Sequence, residues 1–240
     1  MGTKHSYLED HYRKEGKGRV TFVEFTDIVV DDSILFPTSY GQPNDKGSIF
    51  IDGKEFEIVD VWDDGDGIHL ISHDTYPQDS RGKEIAQHVD WNIRYNHMKF
   101  RTAMRIMAGI AFEKFGATHR INQTYEDYAW IDLEFDGITE EAVREIEAET
   151  NKILLSGNEP VYRYVKREDF LKDEHLMSIT KSKVPDISEI RIVKIGNLPE
   201  MMEMGTLTAN TKEVGEIALK TNLIKGKVGS RVNVSLKNLK

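Results

Sequence analysis

The apolar positions change period part-way along the chain. In residues 18–73 they alternate, as strands with one buried face require. "RVTFVEF" alternates cleanly. "GSIFIDGKEFEIVDVW" holds two β-rich runs around Asp52-Gly53, the strongest short hairpin signal. "DDGDG" at 63–67 is a second turn, and "IHLISH" a further strand. Short strands with close turns predict a small barrel or sandwich. Residues 74–90, "DTYPQDSRGKEIAQHVD", are polar and turn-rich and read as a domain junction. Beyond it the period becomes helical. Phe100, Ala103, Met104, Met107, Ala111 and Phe115 share one face, Ile106 and Ile110 cover another, and Gly116 is the stop. "YAWIDLEF" reads as a strand. "TEEAVREIEAETNKILLSG" reads as a helix with Thr139 as N-cap, Glu140 and Glu141 in the first turn and Gly157 after the end. "EIRIVKIG" is another strand, followed by a Met-rich loop and a basic hairpin. The expected class is α+β: a small N-terminal β-barrel over residues 1–85, then a two-layer domain over 86–240 with a central helix on an antiparallel sheet.

Composition narrows the function classes. The chain has 240 residues, 39% hydrophobic and 30% charged, an ordinary globular balance. No apolar run approaches the roughly 20 residues of a membrane span, and the polar start resembles neither a secretory signal nor a transit peptide. With no Cys, disulfides and thiolate metal sites are excluded, and the expected compartment is the cytoplasm. A net charge of −9 argues against general nucleic-acid binding. It leaves room for a local patch. After Glu216 no acid occurs, while Lys220, Lys225, Lys227, Arg231, Lys237 and Lys240 do, partly on the alternating "RVNVSL".

The least ordinary feature is in "HMKFRTAMRIMAGIAF", residues 97–112. Arg101 and Arg105 are four apart, so a helix places both on one stripe. Arg105 is the single charged residue from 103 to 112, so this stripe is no wide solvent face. Of the eight His, His69 and His73 sit four apart on a strand with no third partner, and His97 with Arg101 is no metal pair. "DDGDG" lacks the calcium-loop pattern, and "GQPNDKG" is not a P-loop.

Four stretches together resemble one family. "FPTSYGQPNDKGSI" (36–49) is similar to the "YPTGGGQPxDxG" segment of alanyl-tRNA editing proteins (AlaX) and of the editing region of alanyl-tRNA synthetase. "DWNIRYNHMKFRTAMRIM" (90–107) is similar to "DWxRRYxHMRxHTALHLL", and "IEAETNKILLSGNEPV" (146–161) to "IExxxNxxIxxxxPV". "RIVKIGNLPEMMEMGTLTANTKEVGEI" (191–217) resembles "RVVxIxxxDxQxCGGTHVxNTGEIG". Order and gaps agree over nearly the whole chain, which makes 86–240 an editing-like domain of the alanyl/threonyl-tRNA synthetase type. The resemblance implies hydrolysis of the ester in mischarged tRNA, chiefly seryl- or glycyl-tRNA for alanine. It also implies a zinc held by two His of "HTALH" and the Cys and His of "CGGTHV". At those positions this chain has Arg101, Arg105, Glu203 and Leu207, while Thr102, Gly205, Thr206, Asn210 and Thr211 remain. The expectation is a scaffold kept and a metal lost, with no cofactor. The two guanidinium groups then supply the charge of the ion, and one or both contact Glu203. The Met-rich "EMMEM" loop fills the space around them.

Three readings follow. In a zinc-free hydrolase, Arg101 and Arg105 hold the ester carbonyl or the terminal ribose and phosphate and Glu203 is the general base, with Thr206 completing the candidate catalytic set. In a non-catalytic tRNA-binding module the same cleft takes an acceptor end. The candidate tRNA contacts are Gln42, Thr102, Lys225, Lys227 and Arg231. In a third, an arginine-lined pocket holds a small anion.

Overall fold

The computed structural model describes residues 2–136, 138–179, 181–221 and 229–238. The chain divides into two compact units, residues 1–96 and 97–240. Of the 32 Lys/Arg and 41 Asp/Glu, 10 and 19 fall in residues 1–96, so the whole net charge of −9 sits in the first unit and the second balances at 22 of each sign.

The first unit is a closed six-stranded barrel. Its strands are β1 (Glu15–Glu24), β2 (Asp27–Val30), β3 (Gly47–Ile51), β4 (Lys54–Asp63), β5 (Ile68–Ser72) and β6 (Glu84–Val89), closed in the order β1-β2-β5-β4-β3-β6. All pairings are antiparallel. Alternation puts Val20, Ile28, Val30, Ile49, Ile51, Phe56, Ile58, Val61, Ile68, Leu70 and Ile85 in its core. Asp52 and Gly53 both adopt positive φ (51° and 80°) between β3 and β4, as a tight hairpin turn with matching twist demands. The stretch 74–90 is more than a junction: Glu84–Val89 within it is β6, which pairs with both β1 and β3 and closes the barrel. Polar residues at alternate positions hide this strand, and its partners are distant in sequence. Buried Arg94 donates from Nε to Asp45 (2.7 Å), also pairs with that carboxylate through Nη2, and donates to the carbonyls of His11 and Ile34. Asp45 accepts from the Phe36 amide (2.6 Å), so the start of the 36–49 segment is fastened by this ion pair.

Helix α1 spans Trp91–Phe115 and starts nine residues before the apolar spacing indicates. Asp90 sets that start by accepting from the amides of Asn92 and Ile93. In the second unit the helix packs with a sheet formed by β7 (Thr118–Thr124), β8 (Ala129–Glu134), β12 (Ile217–Thr221) and β13 (Ser230–Leu236), in the order β12-β13-β8-β7. Helix α2 (Glu140–Ser156) lies in the same core. Thr139 caps it by accepting from the Ala142 amide, and Gly157 ends it at φ 83°. A second sheet comprises β9 (Pro160–Lys166), β10 (Glu189–Ile195) and β11 (Met201–Met202) in that order. Two short helices, Arg167–Lys172 and Glu174–Ile179, come between β9 and β10. Part of the Met-rich segment thus pairs as strand β11, with Met201 and Met202 buried. The class is α+β. Among the described residues no helix is long and apolar enough to cross a membrane.

Candidate functional site

The helical stripe of α1 carries Arg101 and Arg105 into the interior, 1% and 7% exposed, and both meet Glu203, which is fully buried. Arg101 Nε donates to Glu203 Oε1 at 2.6 Å, and Arg105 Nε donates to Oε2. The Gly205 amide also donates to Oε1, at 2.6 Å. Gly205 is required here by space. A Cβ at that position would lie on the Arg101 side chain.

Two further groups join that were not among the sequence candidates. Arg191 on β10 is 1% exposed, donates from Nε to the Glu203 carbonyl (2.8 Å) and from Nη2 to the Gly205 carbonyl, and stacks over Tyr162 with its Cζ 4.9 Å from the ring centre. His119 on β7 is 2% exposed, and its Nε2 lies 3.2 Å from Arg105 Nη1. A guanidinium can only donate, so Nε2 is the acceptor and the ring proton sits on Nδ1. The signal for Arg191 was a charge inside the apolar strand "EIRIVKIG"; for His119 no local signal exists.

The charges shift one another. Burial alone would raise the Glu203 pKa, but Arg101, Arg105, Arg191 and the Gly205 amide outweigh it and hold it at about 2. Burial lowers Arg101 to about 10, with Glu203 opposing and the like charges of Arg105 and Arg191 adding. Burial, reinforced by Arg105, pushes His119 down to about 3, so the imidazole is neutral at pH 7. The depressed values of Glu203 and His119 favour the folded state at neutral pH, and that contribution is lost in acid. His119 removes stability as pH falls from its ordinary 6.5 toward 3, because the unfolded chain takes up the proton first. Glu203 acts lower, from its ordinary 4.5 toward 2. The melting temperature is therefore expected to fall in two overlapping stages on acidification. His119→Gln is expected to flatten the upper stage, and an unchanged slope between pH 6.5 and 4.5 in that variant would contradict the assignment.

The other sequence candidates are placed as follows. Thr206 is fully buried in the loop after Glu203. Thr102 is buried, donates to the Met98 carbonyl (2.8 Å) and accepts from the Thr208 amide (3.0 Å), so it ties the helix to that loop. Gln42 is buried in the first unit, in a turn whose backbone bonds reciprocally with Ser39. Arg231 is half exposed on β13, paired with Asp132 through two bonds of 2.9 and 3.0 Å, and its Cζ lies over the Trp130 ring, 3.4 Å from the ring centre. Lys225 and Lys227 lie outside the described residues.

No family model matches the chain. Known proteins do. An alanyl-tRNA editing protein AlaX-M from Methanosarcina acetivorans is 31% identical over 245 residues, covering 96% of this chain and 97% of that protein. The chain belongs to the alanyl-tRNA editing family. An AlaX-M from Saccharolobus solfataricus is 29% identical over 98% of this chain and 99% of its own length. An alanine–tRNA ligase from Pyrococcus abyssi is 28% identical over 90% of this chain, which corresponds to 24% of that longer protein.

The family motif implies zinc, and the residues here do not fit it. Guanidinium groups at 101 and 105 offer N–H donors and positive charge, not lone pairs. Leu207 has no donor atom. Both Glu203 oxygens already accept from arginine. Among the described residues no group of three or more His, Cys, Asp or Glu could hold a metal ion.

Proposed function

We propose that this chain binds the aminoacylated acceptor end of tRNA in an editing-type site whose positive charge is supplied by side chains, without zinc and without hydrolysis through Glu203. The observation that carries this reading is the pairing of Arg101 and Arg105 with Glu203, at the motif positions where the family has metal ligands. A phosphate-rich, ester-linked ligand suits a site rich in guanidinium donors. The state of Glu203 favours binding over turnover. A general base works best with a pKa near the operating pH and an oxygen within reach of water. Glu203 has neither: its pKa is about 2 and its two oxygens accept from Arg101, Arg105 and Gly205. The retained Thr102 and Thr206 shape the loop around the arginines, and Gln42 acts through the 36–49 segment.

The net negative charge of the first unit supports backbone contacts on the second, with Lys225, Lys227 and Arg231 as the candidates to serve the phosphates. The test uses the full-length protein, freed of metal by chelation and checked by elemental analysis. Binding to alanine-specific tRNA is expected to weaken with salt, and Lys225→Ala with Lys227→Ala to lower the salt slope by about two. Seryl- and glycyl-tRNA are expected to deacylate no faster than in buffer. Turnover above buffer, or no salt-dependent binding, would overturn the proposal.

A further inference from the structure

Gln42 is the sequence candidate for a tRNA contact in the 36–49 segment, and its side chain is fully buried. In that segment the exposed residues are Thr38 and Tyr40. Tyr40, at 40% exposure, is the large one, and its backbone is unusual. Tyr40 and Gly41 are consecutive left-handed residues (φ 48° and 77°). Ser39 and Gln42 close the turn around them with reciprocal backbone bonds of 3.0 and 2.9 Å. A tight turn of this kind favours Asn-Gly, and a bulky side chain at positive φ is strained. The family motif that the segment resembles has glycine where this chain has Tyr40. Glycine makes the turn without strain, so turn formation does not account for the aromatic ring.

The ring stands on a fixed turn. The Thr38 amide donates to the Val61 carbonyl (2.9 Å), the Thr38 hydroxyl accepts from the Asn44 amide (3.0 Å), and Asp45 is held by Arg94. Burial, and then Asp63, raises the Tyr40 hydroxyl above its ordinary pKa, so the side chain is neutral at pH 7. Neutrality matters in a unit that carries the whole net charge of −9 and repels phosphate. Aromatic stacking needs no charge, and it is how proteins commonly take the bases of single-stranded RNA ends. We infer that Tyr40 is the side chain through which the 36–49 segment meets tRNA, its ring stacking on an unpaired base of the acceptor end. This rests on the tRNA reading above and adds to it a contact that reads the base, not the phosphate.

The test measures binding of the full-length protein, over a salt series, to intact alanine-specific tRNA and to the same tRNA trimmed of its unpaired 3′ nucleotides. Tyr40→Gly is expected to weaken binding to intact tRNA about 5- to 150-fold, the range for one lost base stack. Its salt slope is expected to stay native, because no phosphate contact is removed, in a protein that melts close to the native temperature. Tyr40→Phe keeps the ring and is expected to bind within about twofold of native. Trimmed tRNA is expected to bind the native chain and Tyr40→Gly alike. Phe25→Gly is the control, since Phe25 shares the positive φ (49°) and is 69% exposed but lies outside the motif segment. It is expected to leave binding unchanged. Native binding in Tyr40→Gly, an equal loss on trimmed tRNA, Tyr40→Phe as weak as Tyr40→Gly, or an equal loss in Phe25→Gly would each overturn the inference while the tRNA reading stands. A native chain that does not bind tRNA would overturn both.

Discussion

The combined substitutions Arg101→His, Arg105→His, Glu203→Cys and Leu207→His are expected to give a protein that retains about one zinc per chain after dialysis, where the native chain retains none. The helix already presents positions 101 and 105 on one face, and the loop already brings position 203 against both. Two imidazoles, a thiolate and a third imidazole form an ordinary closed zinc set. Exchanging the two arginines and Glu203 removes long charged groups, so the shorter ligands have room to turn inward. The bound metal supplies a charge of two where two guanidinium groups did. The change in zinc content is the readout, by elemental analysis, with melting temperature rising on zinc addition at pH 7 and the gain shrinking as acid protonates the ligands. A variant that folds yet takes up no zinc at micromolar concentrations would show that positions 101, 105, 203 and 207 do not converge on one point.

Glu203→Ala is expected to cost about 3–5 kcal/mol, the range for removing one partner from a buried ion pair. Typical total stability is about 5–15 kcal/mol, so this single change is expected to remove from about a fifth to all of it. The loss is large because Glu203 is shared. Arg101 and Arg105 each spend their Nε on it, and its Oε1 also fixes the Gly205 amide. Arg191 bonds to the backbone of 203 and 205 and is expected to hold. If stranded charge is the cause, apolar replacement of all three members should help. Arg101→Met, Arg105→Met and Glu203→Met together are expected to recover most of the lost stability in urea unfolding, since well-packed apolar groups commonly replace a buried ion network at little cost. A triple variant as unstable as Glu203→Ala would assign the loss to packing or to the Gly205 loop.

What could be read directly from the chain was local. Strand alternation in 18–73, the turn at Asp52-Gly53, the Thr139 cap with its Gly157 stop, and the shared stripe of Arg101 and Arg105 each depend on neighbours within a few positions, where period and backbone preference act. The four motifs added family membership and a contact of one or both arginines with Glu203; the structure shows both. Tertiary structure decided the rest. Polar alternate residues disguise Glu84–Val89 as a linker, and only pairing with β1 and β3 makes it a barrel strand. Arg231 resembles any exposed cation until Asp132, 99 positions away, and the Trp130 ring claim it. Gln42 is polar in sequence and buried in the fold. Arg191 and His119 join the cluster although neither neighbours it along α1. The physical reason is the same in each case. Whether a charged side chain is solvated, paired or stranded is set by the groups folding carries to it, and for Arg101 the deciding carboxylate lies 102 residues away.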